Sequence, residues 1–257
     1  MEVNKIISHA LQSMPPSKRQ KAFAKDTSKL IHMGLNENNY GMSPKAVAAL
    51  EDSMAGSHFY PDFAAVLLKQ KVAEQYGLKA ENVLTGAGSS AMIDMIGLTF
   101  LDEGDEVLFS APTYGAFADM AYLNGGVPVS VPVTEEQKFN LPAMKEKIGE
   151  KTKIVVICNP NNPTGALYPK EVLQQIVDLA REHQLIIFSD EIYDRLVMDG
   201  LEHVSIASLA PDLFCVTFSG LSKSHMIAGF RIGWMILSGN KAIAKDYIEG
   251  LKMLSNM

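Results

Sequence analysis

Cysteine is scarce, runs of cationic residues are missing, and no apolar stretch is long. Two cysteines in 257 residues leave no room for a disulfide framework. Cys158 and Cys215 both fall inside apolar, strand-like runs, where a small buried thiol and a reducing compartment are expected. His9, His32, His58, His183, His203 and His225 stand at no ligand spacing to one another, to cysteine or to carboxylate, so no metal is expected. With a net charge of −6 and no Lys/Arg run, nucleic acid and a polybasic membrane surface are excluded as main partners. No segment approaches the roughly 20 apolar residues of a bilayer-crossing helix, and the start MEVNKIISHALQSMPPSKRQ has no long apolar core of a leader. A cytoplasmic protein is expected.

What is present is ordinary for a globular chain, with 47% hydrophobic and 20% charged residues, and the length suffices for one large or two smaller domains. An amphipathic start over 3–14 meets Met14-Pro15-Pro16 and a lysine-rich linker to Lys29, which reads as an arm. LIHMGLNENNYGMSP follows, rich in turn residues that suit ligand contacts, and precedes helical patterns over 44–54 and 63–76. From Asn82 onward short β-rich runs alternate with helical ones. The strands fall at 83–85, 106–110, 127–133, 153–158, 185–189, 213–218 and 231–237. Helices over 90–101, 114–124, 141–148 and 169–183 separate most of them, and one over 241–254 follows the last. This βαβ texture predicts a doubly wound, mostly parallel α/β sheet of seven strands, whose ligands collect at the carboxyl ends of the strands. The last strand comes with no crossover helix before it, so it is expected to be antiparallel or to lie at the edge.

Chemistry-bearing residues cluster at those strand ends. Gly86-Ala87-Gly88-Ser89-Ser90-Ala91 matches the dinucleotide pattern G-x-G-x-x-[GA], but the next strand ends in Ser110-Ala111-Pro112 without the required acid, which disfavours NAD. The stretch instead offers free N–H groups and the hydroxyls of Ser89 and Ser90 to one phosphate, or simple N-capping. Tyr114 offers an aromatic face for stacking or plain packing. In CNPNNPTG, asparagines between prolines are held in a turn, which makes Asn162 a fixed donor. Asp190 and Tyr193 end the fifth strand, and a carboxylate there needs a partner such as a protonated ring nitrogen, Arg181 or Arg195.

The segment 219–233, SGLSKSHMIAGFRIG, delivers Lys223 to a strand end, with Ser219, Ser222 and Arg231 as hydroxyls and cation for an anion. A lysine there becomes nucleophilic when burial and a neighbouring cation lower its pKa. Together the residues describe a cradle for pyridoxal phosphate.

On these motifs the chain resembles the class I/II aminotransferases of the fold-type I pyridoxal-phosphate superfamily, over nearly its whole length. LNENNYGMSP and Tyr60-Pro61-Asp62 are similar to the histidinol-phosphate branch, although Asn39 and Met42 replace its usual prolines. SDEIYDRLVMDG and FSGLSK with AGFRIGWM are more similar to the alanine branch. The resemblance implies a pyridoxal 5′-phosphate enzyme with Lys223 as its Schiff-base lysine, moving an amino group between an amino acid and a 2-keto acid. It implies Asp190 at the pyridinium nitrogen, Asn162 and Tyr193 at ring O3′, and Tyr114 stacked on the ring. Ser89, Ser90, Ser222 and Arg231 would hold the phosphate, with Ser219 a further candidate, and Tyr60 would reach the neighbouring subunit's phosphate in a homodimer. Residues 1–60 would be arm and small-domain segment and 61–257 the cofactor-binding large domain. The small domain would be incomplete at Met257, which leaves the substrate α-carboxylate without an assignable arginine. A carbon–sulfur lyase, an amino-acid decarboxylase and a non-catalytic pyridoxal-phosphate-binding chain are the alternatives.

Overall fold

The computed structural model describes residues 31–255, so the expected arm over 3–29 lies outside the described residues. The seven strands are β1 (Val83–Ala87), β2 (Glu106–Ala111), β3 (Val127–Pro132), β4 (Thr152–Cys158), β5 (Ile186–Asp190), β6 (Phe214–Gly220) and β7 (Ile232–Gly239). The helices are α1 (Pro44–Ser53), α2 (Val66–Tyr76), α3 (Gly88–Phe100), α4 (Ala116–Leu123), α5 (Leu141–Lys147), α6 (Lys170–Glu182) and α7 (Lys245–Ser255).

All seven strands form one sheet in the order β1-β7-β6-β5-β4-β2-β3. Neighbours pair in parallel except at β7, which runs antiparallel to both β1 and β6. Of the two alternatives for the last strand, antiparallel is therefore correct and the edge position is not: β7 lies inside the sheet, and β1 and β3 are the edges. The connection 221–231 holds one 3-10 turn, Ala228–Phe230, and no crossover helix, so the chain folds back beside the strand it has left, and β1 then covers the far side of β7.

The central strands are buried on both faces, whereas the edge strand β3 leaves Val127, Ser130 and Pro132 exposed, and strand alternation sorts the core into two layers. Ile154, Val156, Phe188, Val216 and Phe218 face Met92, Ile93 and Ile96 of α3, Phe117 and Met120 of α4, and Leu251 of α7. Val155, Ile157, Ile187 and Cys215 face Met144 of α5 and Leu173, Ile176 and Val177 of α6. Side chains of this size each contribute about 1.5–3 kcal/mol when fully buried. A third, smaller cluster sets Val72 and Ala73 of α2 on Trp234 and Ile236 of β7. Cys158 and Cys215 are buried free thiols.

The helix expected from Phe63 begins instead at Val66. Asp62 accepts hydrogen bonds from Ala64 N (2.9 Å) and Val66 N (2.8 Å), and Ala65 turns left-handed at φ 47°. The aspartate thus caps the first turn from outside, and Phe63 stays exposed.

Candidate active site

A cavity of about 550 Å³ opens where the carboxyl ends of β1, β2, β4, β5 and β6 meet the start of β7. The reversal of β7 matters here, because it brings Arg231, the residue before that strand, to the same end of the sheet as its neighbours' last residues. Ser89, Ser90, Tyr114, Asn162, Asp190, Tyr193, Ser222, Lys223 and Arg231 all line this cavity.

Adjacent residues divide the work at each strand end. After β4, Asn161 is buried and donates to Pro112 O (3.1 Å) and Thr164 Oγ1 (2.8 Å) while accepting from Thr113 Oγ1 (3.0 Å). That knot ties the β2 end to the β4 end and leaves the next side chain, Asn162, to the cavity. At the end of β5, Asp190 faces the cavity, whereas Glu191 turns into the protein.

Asp190 is buried and accepts from Ile192 N at 3.2 Å. Burial pushes its carboxyl up to about 6, against the opposing pull of the Ile192 N–H and the Lys223 charge. A buried carboxylate with spare acceptor capacity fits a cationic or protonated partner in the cavity. Arg181 is not that partner, since it spends its guanidinium on Asp178 and Asp212. Glu191 is satisfied separately by Ser189 Oγ (2.8 Å), Ser205 Oγ (3.0 Å) and Ile206 N (3.3 Å), and burial pushes it up to about 8.

Lys223 is half-buried, and its ammonium donates to Leu35 O (2.8 Å) and Asn36 O (3.1 Å). Burial lowers its pKa, Glu37 opposes that, and Arg231 lowers it further. Asn36 also donates through Nδ2 to the Tyr193 hydroxyl at 2.8 Å. Leu35, Asn36 and Glu37 are thus part of the cavity wall. Their turn-rich sequence marked the loop as one able to carry ligand contacts, but neither spacing nor periodicity singled out these residues.

An anion fits the opposite end. Ser89 and Ser90 stand in the first turn of α3, with Ser90 Oγ and the Tyr114 hydroxyl 3.4 Å apart. The Arg231 guanidinium lies against Gly88, where a Cβ would run into Nη2, and donates from Nη1 to Ala228 O at 3.0 Å. A guanidinium retains further donors beyond that one bond, and a helix N-terminus favours negative charge. Amine, buried carboxylate, aromatic face and anion-binding end therefore fit pyridoxal phosphate in one cavity.

Two expected residues lie elsewhere. Ser219 is not among the cavity residues: it is buried within β6, opposite Trp234 and near Tyr76 of α2. Strand alternation explains this, because Phe218 faces the α3 side of the sheet and Ser219 the other. Tyr60 is exposed and lines a separate hollow with Leu50, Met54, Phe59, Pro61 and Phe230.

Residues 28–256 match the family model described as aminotransferase class I and II. The glutamate-pyruvate aminotransferase AlaA of Haemophilus influenzae is 46% identical over 207 residues, which cover 77% of this chain and 51% of that one. The alanine aminotransferase of Mycobacterium tuberculosis is 45% identical over 179 residues, covering 69% of this chain and 42% of that one. A crystal structure of an aminotransferase from Escherichia coli superposes with a TM-score of 0.78 at 39% identity, over 85% of this chain and 56% of that one. The chain spans about half the length of the relatives it matches.

Proposed function

The chain belongs to the class I and II aminotransferase family, and on that premise we propose that it binds pyridoxal 5′-phosphate at the strand ends and moves an amino group between an amino acid and a 2-keto acid. Pyridoxal 5′-phosphate is the cofactor of that family, and when bound it supplies the electron sink for bond breaking at the substrate Cα. The observation that carries the reading is the meeting of Lys223, Asp190 and Arg231 around one cavity.

In this reading Lys223 would hold the group covalently and would move the substrate's Cα proton, and its lowered basicity suits both tasks. Asp190 would pair with the protonated ring nitrogen, whose charge would offset the cost of burying the carboxylate. Asn162 and Tyr193 would address the ring oxygen, and Tyr114 would supply an aromatic face to the ring. Ser89, Ser90, Ser222 and Arg231 take the phosphate. The names of the relatives make glutamate and pyruvate the first substrates to try.

Residues 1–60 are assigned to an arm and small-domain segment, and 61–257 to the cofactor-binding large domain. A homodimer is supported by the exposed apolar side chains Ile31, Met33, Tyr40, Phe59, Tyr60, Phe63 and Leu67, which all lie in the N-terminal part of the described chain. In it Tyr60 would serve the partner subunit's phosphate. Among the described residues no helix is long and apolar enough to cross a membrane, and the cytoplasm is the proposed location.

The activity test incubates the chain and the cofactor with amino acids and a 2-keto acid acceptor. Formation of the aminated acceptor supports transfer. Release of ammonia with pyruvate, or of carbon dioxide, without aminated acceptor overturns it in favour of a lyase or a decarboxylase.

A further inference from the structure

We infer that Asn36 is a positioning residue for Tyr193, its side-chain amide turning the phenol proton into the cavity. One residue of the exposed N-terminal segment touches groups supplied by two different strand ends. Its Nδ2 donates to the Tyr193 hydroxyl at 2.8 Å, while its backbone carbonyl accepts from Lys223 Nζ at 3.1 Å. A phenol has one proton and two lone pairs. Receiving the amide proton fills a lone pair, so the Tyr193 proton is not spent on Asn36 and stays available to an acceptor in the cavity. The titratable groups around the hydroxyl are Asp190, Cys158 and Tyr114, and none of them is hydrogen-bonded to it. Burial raises the Tyr193 pKa, and the Asn36 amide pulls it back.

The backbone explains why asparagine stands there. Leu35 and Asn36 have φ values of 59° and 50°, in the left-handed region, where asparagine is among the best-tolerated side chains after glycine. Glycine would suit the backbone equally well but would leave Tyr193 without its donor. Only what the proton is aimed at, the ring oxygen of the cofactor, rests on the function proposed above.

That difference supplies the test. Asn36→Gly deletes the amide without straining the turn, and Asn36→Asp keeps its size but replaces the donor with an acceptor that draws the phenol proton away from the cavity. Tyrosine ionisation is followed by ultraviolet absorbance after a rapid pH jump, and the Tyr193 contribution is isolated against Tyr193→Phe. We expect Tyr193 to ionise about half to one pH unit higher in Asn36→Gly, the equivalent of one neutral hydrogen bond, and higher still in Asn36→Asp. With pyridoxal phosphate bound, the pH of its visible absorbance change should rise in the same order. Asn36→Asp should approach Tyr193→Phe, and Asn36→Gly should add nothing in the Tyr193→Phe background. Unchanged Tyr193 ionisation in both variants, a fall in Asn36→Asp, or a spectral shift that persists without Tyr193 overturns the role of Asn36. Failure of the parent chain to take up the cofactor overturns the proposed function instead, and the tyrosine titration still decides the role of Asn36.

Discussion

The Arg231 guanidinium packs on the bare Cα of Gly88, so that the anion-binding end of the cavity depends on a missing side chain. Gly88 also sits at φ 83°, which L-residues adopt at a cost of about 1–2 kcal/mol. Gly88→Ala should therefore destabilise the fold modestly and push the flexible guanidinium out of place. We expect pyridoxal-phosphate affinity to fall about tenfold or more, the loss of a charge-assisted contact, while far-ultraviolet circular dichroism stays native. Unchanged affinity in a titration would show that Arg231 does not meet the phosphate.

Asp190 gives a pH signature to the cofactor-free chain. Its folded pKa, about 6, lies above the ordinary aspartate value, so the charged form is penalised by folding. That penalty is fully present above about pH 6, shrinks as pH falls and vanishes below the unfolded pKa near 4. Asp190→Asn should raise stability at pH 7.5 by a few kcal/mol at most and leave it unchanged near pH 3.5, while weakening cofactor binding. Denaturant titrations at the two pH values would check this, and a uniform gain at both would refute the ionisation account.

Glu191, next in the chain, should behave differently because its partners are protein groups. Glu191→Ala strands the Ser189 and Ser205 hydroxyls and the Ile206 N–H, a loss of roughly 2–4 kcal/mol. Glu191→Gln keeps an acceptor oxygen, and since burial holds the carboxyl at about 8, it replaces a group that is mostly neutral at pH 7. Urea midpoints should order parent and Gln variant close together, with the Ala variant far below.

Borohydride reduction of the cofactor-loaded chain, followed by peptide mapping, should place the label on Lys223, and Lys223→Ala should abolish both the label and the visible absorbance. The same variant removes the two bonds to Leu35 O and Asn36 O, so amide exchange across 35–40 should quicken even without cofactor. A label on another lysine would sink the assignment.

The sheet was legible because its central strands are buried on both faces and read as continuous apolar runs between turn signals. Its strand ends were legible because function concentrates polar residues where such runs stop, as at Asp190 and Asn162. The place of Ser219 was not legible, because the motif around Lys223 does not announce where β6 ends: the strand continues to Gly220, and alternation turns Ser219 to the Trp234 side of the sheet. For Leu35 and Asn36 the turn-rich loop was legible but their individual contacts were not, for another reason. Two of their contacts run through backbone carbonyls, which carry no residue-type signal, and all of them span more than 150 positions of the chain.

The immediate return of β7 beside β6 also makes Lys223 and Arg231 a single mechanical unit. Both stand on the connection of one hairpin, pinned where Gly220 pairs with Gly233 and Leu221 N meets Ile232 O at 3.0 Å. On the function proposed above, the covalent anchor and the anion clamp would thus be carried as one cassette, which an insertion or a register slip between 221 and 231 would displace together. Such a shift of the hairpin would, on that proposed function, loosen both ends of the cofactor site at once, whereas changes at the ends of β4 or β5 would act on its ring end.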